Sequence, residues 1–141
     1  LAFFTRTSNP PEYSDPSKYK PYLRRDFRCQ CAYCEVSEGF VGRREEHFEV
    51  DHFRPARLFP QFNYDYANLY YCCRGCNSKK GASWPSDAES RRGAGFADPC
   101  LEDPYKMHLA EQENGTVLPL TPVGEYTLDH VRLNREAIEE S

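Results

Sequence analysis

At 141 residues the chain has material for one domain with a modest core and not for two sizeable ones. Eleven Pro, eight Gly and ten Tyr beside an apolar fraction of 39% exclude a helical bundle and describe a loop-rich domain that needs a staple. The net charge of −4 is unevenly spread: residues 1–97 hold 15 basic against 12 acidic side chains, and residues 98–141 hold 3 against 10, so the acid lies in the tail.

Residues 1–17 are rich in turn formers (Ser8-Asn9-Pro10-Pro11, Ser14-Asp15-Pro16-Ser17) and are expected to form an arm draped over the surface. A short helix is expected from Tyr19 to Arg28. Glu45 to Phe53 alternates, with Phe48 and Val50 on one side and Glu49 and Asp51 on the other, which reads as a strand that Pro55 ends. An aromatic loop follows, in which Phe59, Phe62, Tyr64 and Tyr66 are taken as loop packing. Asn68 to Cys72 reads as a second strand, Gly75 permits a tight knuckle, and Asn77 to Lys80 opens a helix that Gly81 and Pro85 keep short. The order is strand, long loop, strand, helix: a ββα unit. Beyond Trp84, Asp98-Pro99-Cys100 and Glu102-Asp103-Pro104 are turns, Gly115 to Leu120 holds a short strand, and Thr127 is expected to cap a last helix running to Glu140, with Leu128, Val131, Ala137 and Ile138 on one side. The expected division is an arm over 1–17, a core over 18–97 and an extension over 98–141 packed on that core.

Seven cysteines, an odd number, and no apolar run of signal-peptide or membrane-spanning length point to a reduced compartment, the cytoplasm by default, where thiolates hold metal. The chain opens on Leu1 rather than Met, which fits a piece of something longer. Cys31-x-x-Cys34 and Cys73-x-x-Cys76 are complete knuckles, and two knuckles supply the four sulfurs of a closed, structural Zn2+ site. Cys29 and Cys72 stand beside these ligands and would replace Cys31 or Cys73 after a shift of register; Cys100 reads as a core thiol.

Between the knuckles stand Asp51-His52 and Asn68-Leu69, and Asn77 follows the last cysteine. This succession resembles the HNH endonuclease family, in the version whose final His is replaced by Asn, over residues 28–81. Asp98-Pro99-Cys100 and Leu133-Asn134-Arg135-Glu136 are also similar to bacterial HNH proteins that accompany antiphage or restriction systems. The resemblance implies an α+β fold: a small ββα-metal (His-Me finger) nuclease core with a four-cysteine structural zinc and loop-rich, partly helical extensions. It implies a DNA endonuclease in which His52 is the general base, Asp51 and Asn77 hold a catalytic cation, and Asn68 braces the loop backbone and orients His52. An amide in place of imidazole at Asn77 favours Mg2+ or Mn2+ over softer ions.

Lys79, Lys80 and Arg74 are the candidates to contact phosphates of DNA. Glu49 and His47 are taken as surface residues. Two other readings stand beside the nuclease: a catalytically silent zinc-stabilised module that binds nucleic acid or protein, and an accessory nuclease active only with a partner, such as a defence ATPase or a flanking domain. A structural knuckle needs none of Asp51, His52, Asn68 and Asn77, and their joint presence favours the enzyme.

Overall fold

The computed structural model describes residues 1–135. Two antiparallel strands, β1 (Phe48–His52) and β2 (Leu69–Cys73), lie at its centre in a register that pairs Phe48 with Cys73, Val50 with Tyr71 and His52 with Leu69. The alternation in β1 separates Phe48, Val50 and His52 from Glu49 and Asp51. Every residue of β2 is buried, because elements cover it from both sides.

The first helix, α1 (Lys20–Asp26), is shorter at both ends than the expected span and packs on β2 through Leu23 and the following Phe27, both 0% exposed. Phe27 meets Tyr70 at 5.6 Å between ring centroids, and Phe48 stacks on Tyr71 at 4.9 Å. Burying an aromatic or aliphatic side chain of this kind contributes about 1.5–3 kcal/mol, and these rings form the centre of the core.

The second helix, α2 (Arg74–Lys80), starts three residues earlier than the sequence predicts. Cys73 caps it: its Sγ accepts from the Cys76 amide at 3.4 Å, so the second cysteine knuckle and the helix start are one turn. Gly75 therefore lies inside the helix rather than in a tight bend, and Gly81, at φ +50°, ends it. With α2 packed on both strands, the β1-loop-β2-α2 order takes the form of a ββα unit.

Beyond α2 the chain adds α3 (Asp87–Arg91), α4 (Pro104–Met107), a hairpin of β3 (Leu109–Glu111) and β4 (Val117–Pro119), and α5 (Pro122–Val131). Of these, α3, α4 and β3 are not legible in the sequence patterns above. The last helix starts earlier than expected. Thr121, not Thr127, is its cap, accepting from the Gly124 amide at 3.0 Å with Pro122 in the first turn. Thr127 lies mid-helix, 1% exposed, where its hydroxyl donates to the Val123 carbonyl and accepts from the Ala97 amide. The helix ends at Val131; Ala137, Ile138 and Glu140 lie outside the described residues. Two helical faces meet where α5 packs on α2, which joins the tail to the ββα unit.

The N-terminal arm is more than a surface strap. Phe4 is 1% exposed and its amide donates to the Pro99 carbonyl at 2.9 Å, while Arg6 donates to the Tyr66 and Leu69 carbonyls at 2.9 and 2.8 Å. Among the described residues the fold is α+β, with no helix long and apolar enough to cross a membrane.

Candidate functional site

Cys31, Cys34, Cys73 and Cys76 converge, with their sulfurs all within 4.8 Å of one another. The first knuckle turns back through Glu35 at φ +62°, and the Ala32 amide donates to the Tyr71 carbonyl at 2.8 Å, which hangs this knuckle on β2 beside the second. Cys34 Sγ and Cys73 Sγ are 3.8 Å apart. Tetrahedral Zn2+, with bonds of about 2.3 Å, sets its sulfurs about 3.8 Å apart, so the cluster has the dimensions to hold such a metal. Among the described residues no disulfide joins any of the cysteines, and Cys29, Cys72 and Cys100 stand outside the cluster.

The acid–base character of the cluster fits a cation. Burial works against charge on Cys31, but hydrogen bonds from Cys34, Cys72, Cys73 and Cys76 outweigh it and hold that thiol well below its ordinary value. Burial, with hydrogen bonds to the other three sulfurs, pushes Cys76 well above it. The hydrogen bond with Cys31 works against charge on Cys73, but those from Cys34 and Cys76 outweigh it and lower that thiol too, whereas hydrogen bonds to Cys31 and Cys73 push Cys34 well above its ordinary value. A divalent ion is what lets all four ionise together.

The second group of residues lies across β1, its loop and α2. A cleft of about 210 Å³ is lined by Val50, Asp51, His52, Pro55, Ala56, Arg57, Asn77, Gly81 and Ala82. It runs into a groove of about 540 Å³ that shares Val50, His52 and Asn77 and is bounded further out by Lys20, Glu46, Glu49 and Arg74. Three of the four expected catalytic residues, Asp51, His52 and Asn77, therefore meet at one cleft. Asn68 does not reach it.

His52 Nε2 lies 3.0 Å from the Asn63 carbonyl oxygen. A carbonyl only accepts, so Nε2 carries the proton and Nδ1 keeps the lone pair. Asn68, 7% exposed, holds the loop that presents this carbonyl: its Oδ1 accepts from the Arg54 amide at 2.8 Å, and its Nδ2 donates to the carbonyls of Arg54 at 3.1 Å and Phe62 at 3.4 Å. A chain of contacts thus runs from Asn68 through Phe62-Asn63 to the imidazole. Asn63 was missed by sequence reasoning, since a backbone acceptor leaves no trace in side-chain identity.

Along α2, the i, i+3 spacing of Arg74, Asn77 and Lys80 puts all three against β1. Arg74 pairs with Glu49 at 3.4 Å, Asn77 Nδ2 donates to Glu49 Oε1 at 2.8 Å, and Lys80 Nζ lies 3.2 Å from Asp51 Oδ1. Glu49 is therefore part of the site and not merely a surface carboxylate. With its Nδ2 turned to Glu49, Asn77 keeps its Oδ1 to act as a ligand. The Asp51 carboxylate is 3% exposed and receives Tyr33 Oη at 2.5 Å on its other oxygen. Burial, with the charge of Asp51 beside it, pushes the Tyr33 hydroxyl well above its ordinary value, which keeps it a donor.

Lys80 departs from expectation. It is 0% exposed, donates also to the His52 and Phe53 carbonyls at 2.9 and 3.1 Å, and lies over the Phe96 ring, so it cannot reach a phosphate. Lys79 is exposed; Arg74 is exposed but already paired with Glu49. The exposed cation that does line the cleft is Arg57, whose role no motif announced. Of the loop aromatics, Phe59 lies 5.5 Å from Trp84 with Arg54 over both rings, Phe62 lies 6.3 Å from Phe59, Tyr66 packs on Tyr19 at 5.1 Å, and Tyr64 is exposed.

No protein-family model matches the chain. Among curated proteins it is similar to the Septu protein PtuB of Bacillus thuringiensis, at 32% identity over 66 residues that take in 44% of this chain. The chain spans about a quarter (24%) of the length of that relative.

Proposed function

We propose that the chain is a metal-dependent endonuclease that hydrolyses DNA phosphodiester bonds and serves in bacterial antiphage defence. The reading rests chiefly on one observation: His52, pinned through Nε2 to the Asn63 carbonyl, shares its cleft with Asp51 and Asn77. Imidazoles act as bases near neutral pH, and with Nε2 committed, Nδ1 takes the proton from an attacking water. Asn68 acts at one remove, by keeping the loop carbonyl where it orients the ring. Defence is supported by the similarity to the Septu protein PtuB.

Asp51 and the Asn77 Oδ1 would hold the catalytic cation. Both are hard oxygen donors, one charged and one neutral, which suits Mg2+ or Mn2+. Each Asp51 oxygen has one protein donor and retains acceptor capacity beyond it. Bound there, such an ion supplies the positive charge that a phosphorane and a departing 3'-oxygen require. Lys80 balances the carboxylate, Arg57 lines the cleft as the exposed cation that would meet the DNA backbone there, and Lys79 is exposed elsewhere on α2.

The accessory-nuclease reading is favoured by charge. With 3 basic and 10 acidic side chains over residues 98–141, the chain offers little long-range attraction to DNA, and a partner such as a defence ATPase would supply the grip.

The test is supercoiled plasmid incubated with and without Mg2+ or Mn2+. His52→Ala should abolish metal-dependent cleavage while leaving zinc content and melting temperature nearly unchanged. Full cutting by that variant would overturn the assignment.

A further inference from the structure

The segment Leu133-Asn134-Arg135, which follows α5, has no role in the cleft, yet each of its side chains is engaged. Arg132 adopts φ +55° and turns the chain out of the helix. Leu133 is 4% exposed. Asn134 pairs with Val117 of β4 as a strand neighbour would: its Oδ1 accepts from the Val117 amide at 2.7 Å and its Nδ2 donates to the Val117 carbonyl at 3.0 Å. With the backbone anchored in this way, Arg135 reaches back to the cysteine cluster. Its Nη1 donates to the Val131 and Arg132 carbonyls at 2.9 and 3.1 Å, and its Nη2 points at Cys76 Sγ at 3.3 Å and Cys73 Sγ at 3.8 Å.

The approach depends on a glycine distant in sequence. A Cβ built on Gly75 would lie 2.6 Å from Arg135 Nη2, far inside contact distance, so the guanidinium occupies the space that glycine's missing side chain leaves in the first turn of α2. Four thiolates around a divalent ion carry a net charge of −2, which is costly to bury without compensation. Guanidinium is the side chain suited to the task, always charged and able to donate to two acceptors from one plane.

We propose that Arg135 is the outer cation of the four-cysteine metal site, and that Leu133-Asn134-Arg135 is the clamp that sets it against the thiolates of Cys73 and Cys76. It is a positioning residue: it touches ligands and not the metal. It neutralises half the residual charge and covers two sulfurs from protons and electrophiles. The inference rests on the metal reading of the cluster and is independent of whether the chain cuts DNA.

The experiment uses the full chain loaded with zinc and titrated with a chromophoric chelator, alongside circular dichroism. Arg135→Met should weaken zinc retention by about 10–100-fold, the usual range for losing a partner of a metal ligand. Gly75→Ala should reproduce the effect by displacing Nη2, and Arg135→Lys should fall between, keeping the charge but losing the fork. Zinc retention within about twofold of the unsubstituted chain, well short of that range, in both Arg135→Met and Gly75→Ala would overturn the proposal, as would an unsubstituted chain that binds no zinc. Should Arg135→Met fail to fold, Arg135→Lys decides: faster zinc loss supports the proposal and unchanged loss overturns it. Plasmid cleavage by the unsubstituted chain, measured in parallel, reports separately on the nuclease reading.

Discussion

Lys80 and Asp51 form an ion pair with almost no solvent on either side: Nζ to Oδ1 is 3.2 Å, and the two side chains are 0% and 3% exposed. Two backbone carbonyls complete the shell of the ammonium, and Tyr33 completes that of the carboxylate. The pair welds the end of α2 to the end of β1, directly behind the cleft.

Removing one partner strands the other. Lys80→Met should lower unfolding free energy by about 3–5 kcal/mol, the usual cost of an uncompensated buried charge, measured by denaturant titration with zinc bound. A variant that kept full stability and lost only DNA affinity would instead return Lys80 to a phosphate-contacting role.

Asn68 separates bracing from chemistry. Asn68→Ala removes three hydrogen bonds to loop backbone and leaves buried polar groups unpaired, at about 1–3 kcal/mol each where water cannot replace the bond. Cleavage should slow while the Mg2+ concentration for half-maximal rate stays put, because Asn68 does not line the cleft. A changed metal requirement would place Asn68 nearer the cation than its contacts do.

Cys73 has two duties, as a member of the sulfur cluster and as the cap of α2. Cys73→Ser should release zinc and destabilise the chain together, read by elemental analysis and melting. Because thiolates must be ionised to hold the metal, zinc should also be lost from the unsubstituted chain on acidification, and unfolding should follow that loss. A folded, stable, zinc-free Cys73→Ser variant would remove the metal from the account of stability.

Glu38 provides a separate acid-sensitive contact. Burial opposes its charge, but Arg24 at 2.8 Å and the Tyr71 hydroxyl at 2.6 Å outweigh it and hold the carboxyl below its ordinary value of 4.5. A carboxyl depressed on folding contributes fully above its unfolded pKa, and that contribution fades as the pH falls through the folded value. Glu38→Gln should therefore lower the melting temperature by about 2–6 °C at neutral pH, with a difference from the unsubstituted chain that shrinks in acid below 4.5. A difference that stays constant as the pH is taken well below 4.5 would show that shape is what Glu38 contributes.

Short-range chemistry accounts for the part of this protein that can be read from residue order. Cys-x-x-Cys spacing brings two sulfurs to one side of a turn wherever it occurs, alternation over Phe48 to His52 sorts one strand into two faces, and Gly81 ends a helix by its own conformational freedom. These features point to the ββα order and the four-sulfur cluster without any knowledge of the fold. The direction in which the long polar side chains point is set by packing between distant segments. Lys80 reads as a basic helix residue beside Lys79, and it turns inward because α2 lies over Asp51, 29 positions back. Arg135 meets Cys76 across 59 positions, and His52 is oriented by the backbone oxygen of Asn63 rather than by any side chain. Residue type specifies what a group can bond to. Which partner it meets depends on how distant segments pack, and burial raises the cost of every alternative until one arrangement remains.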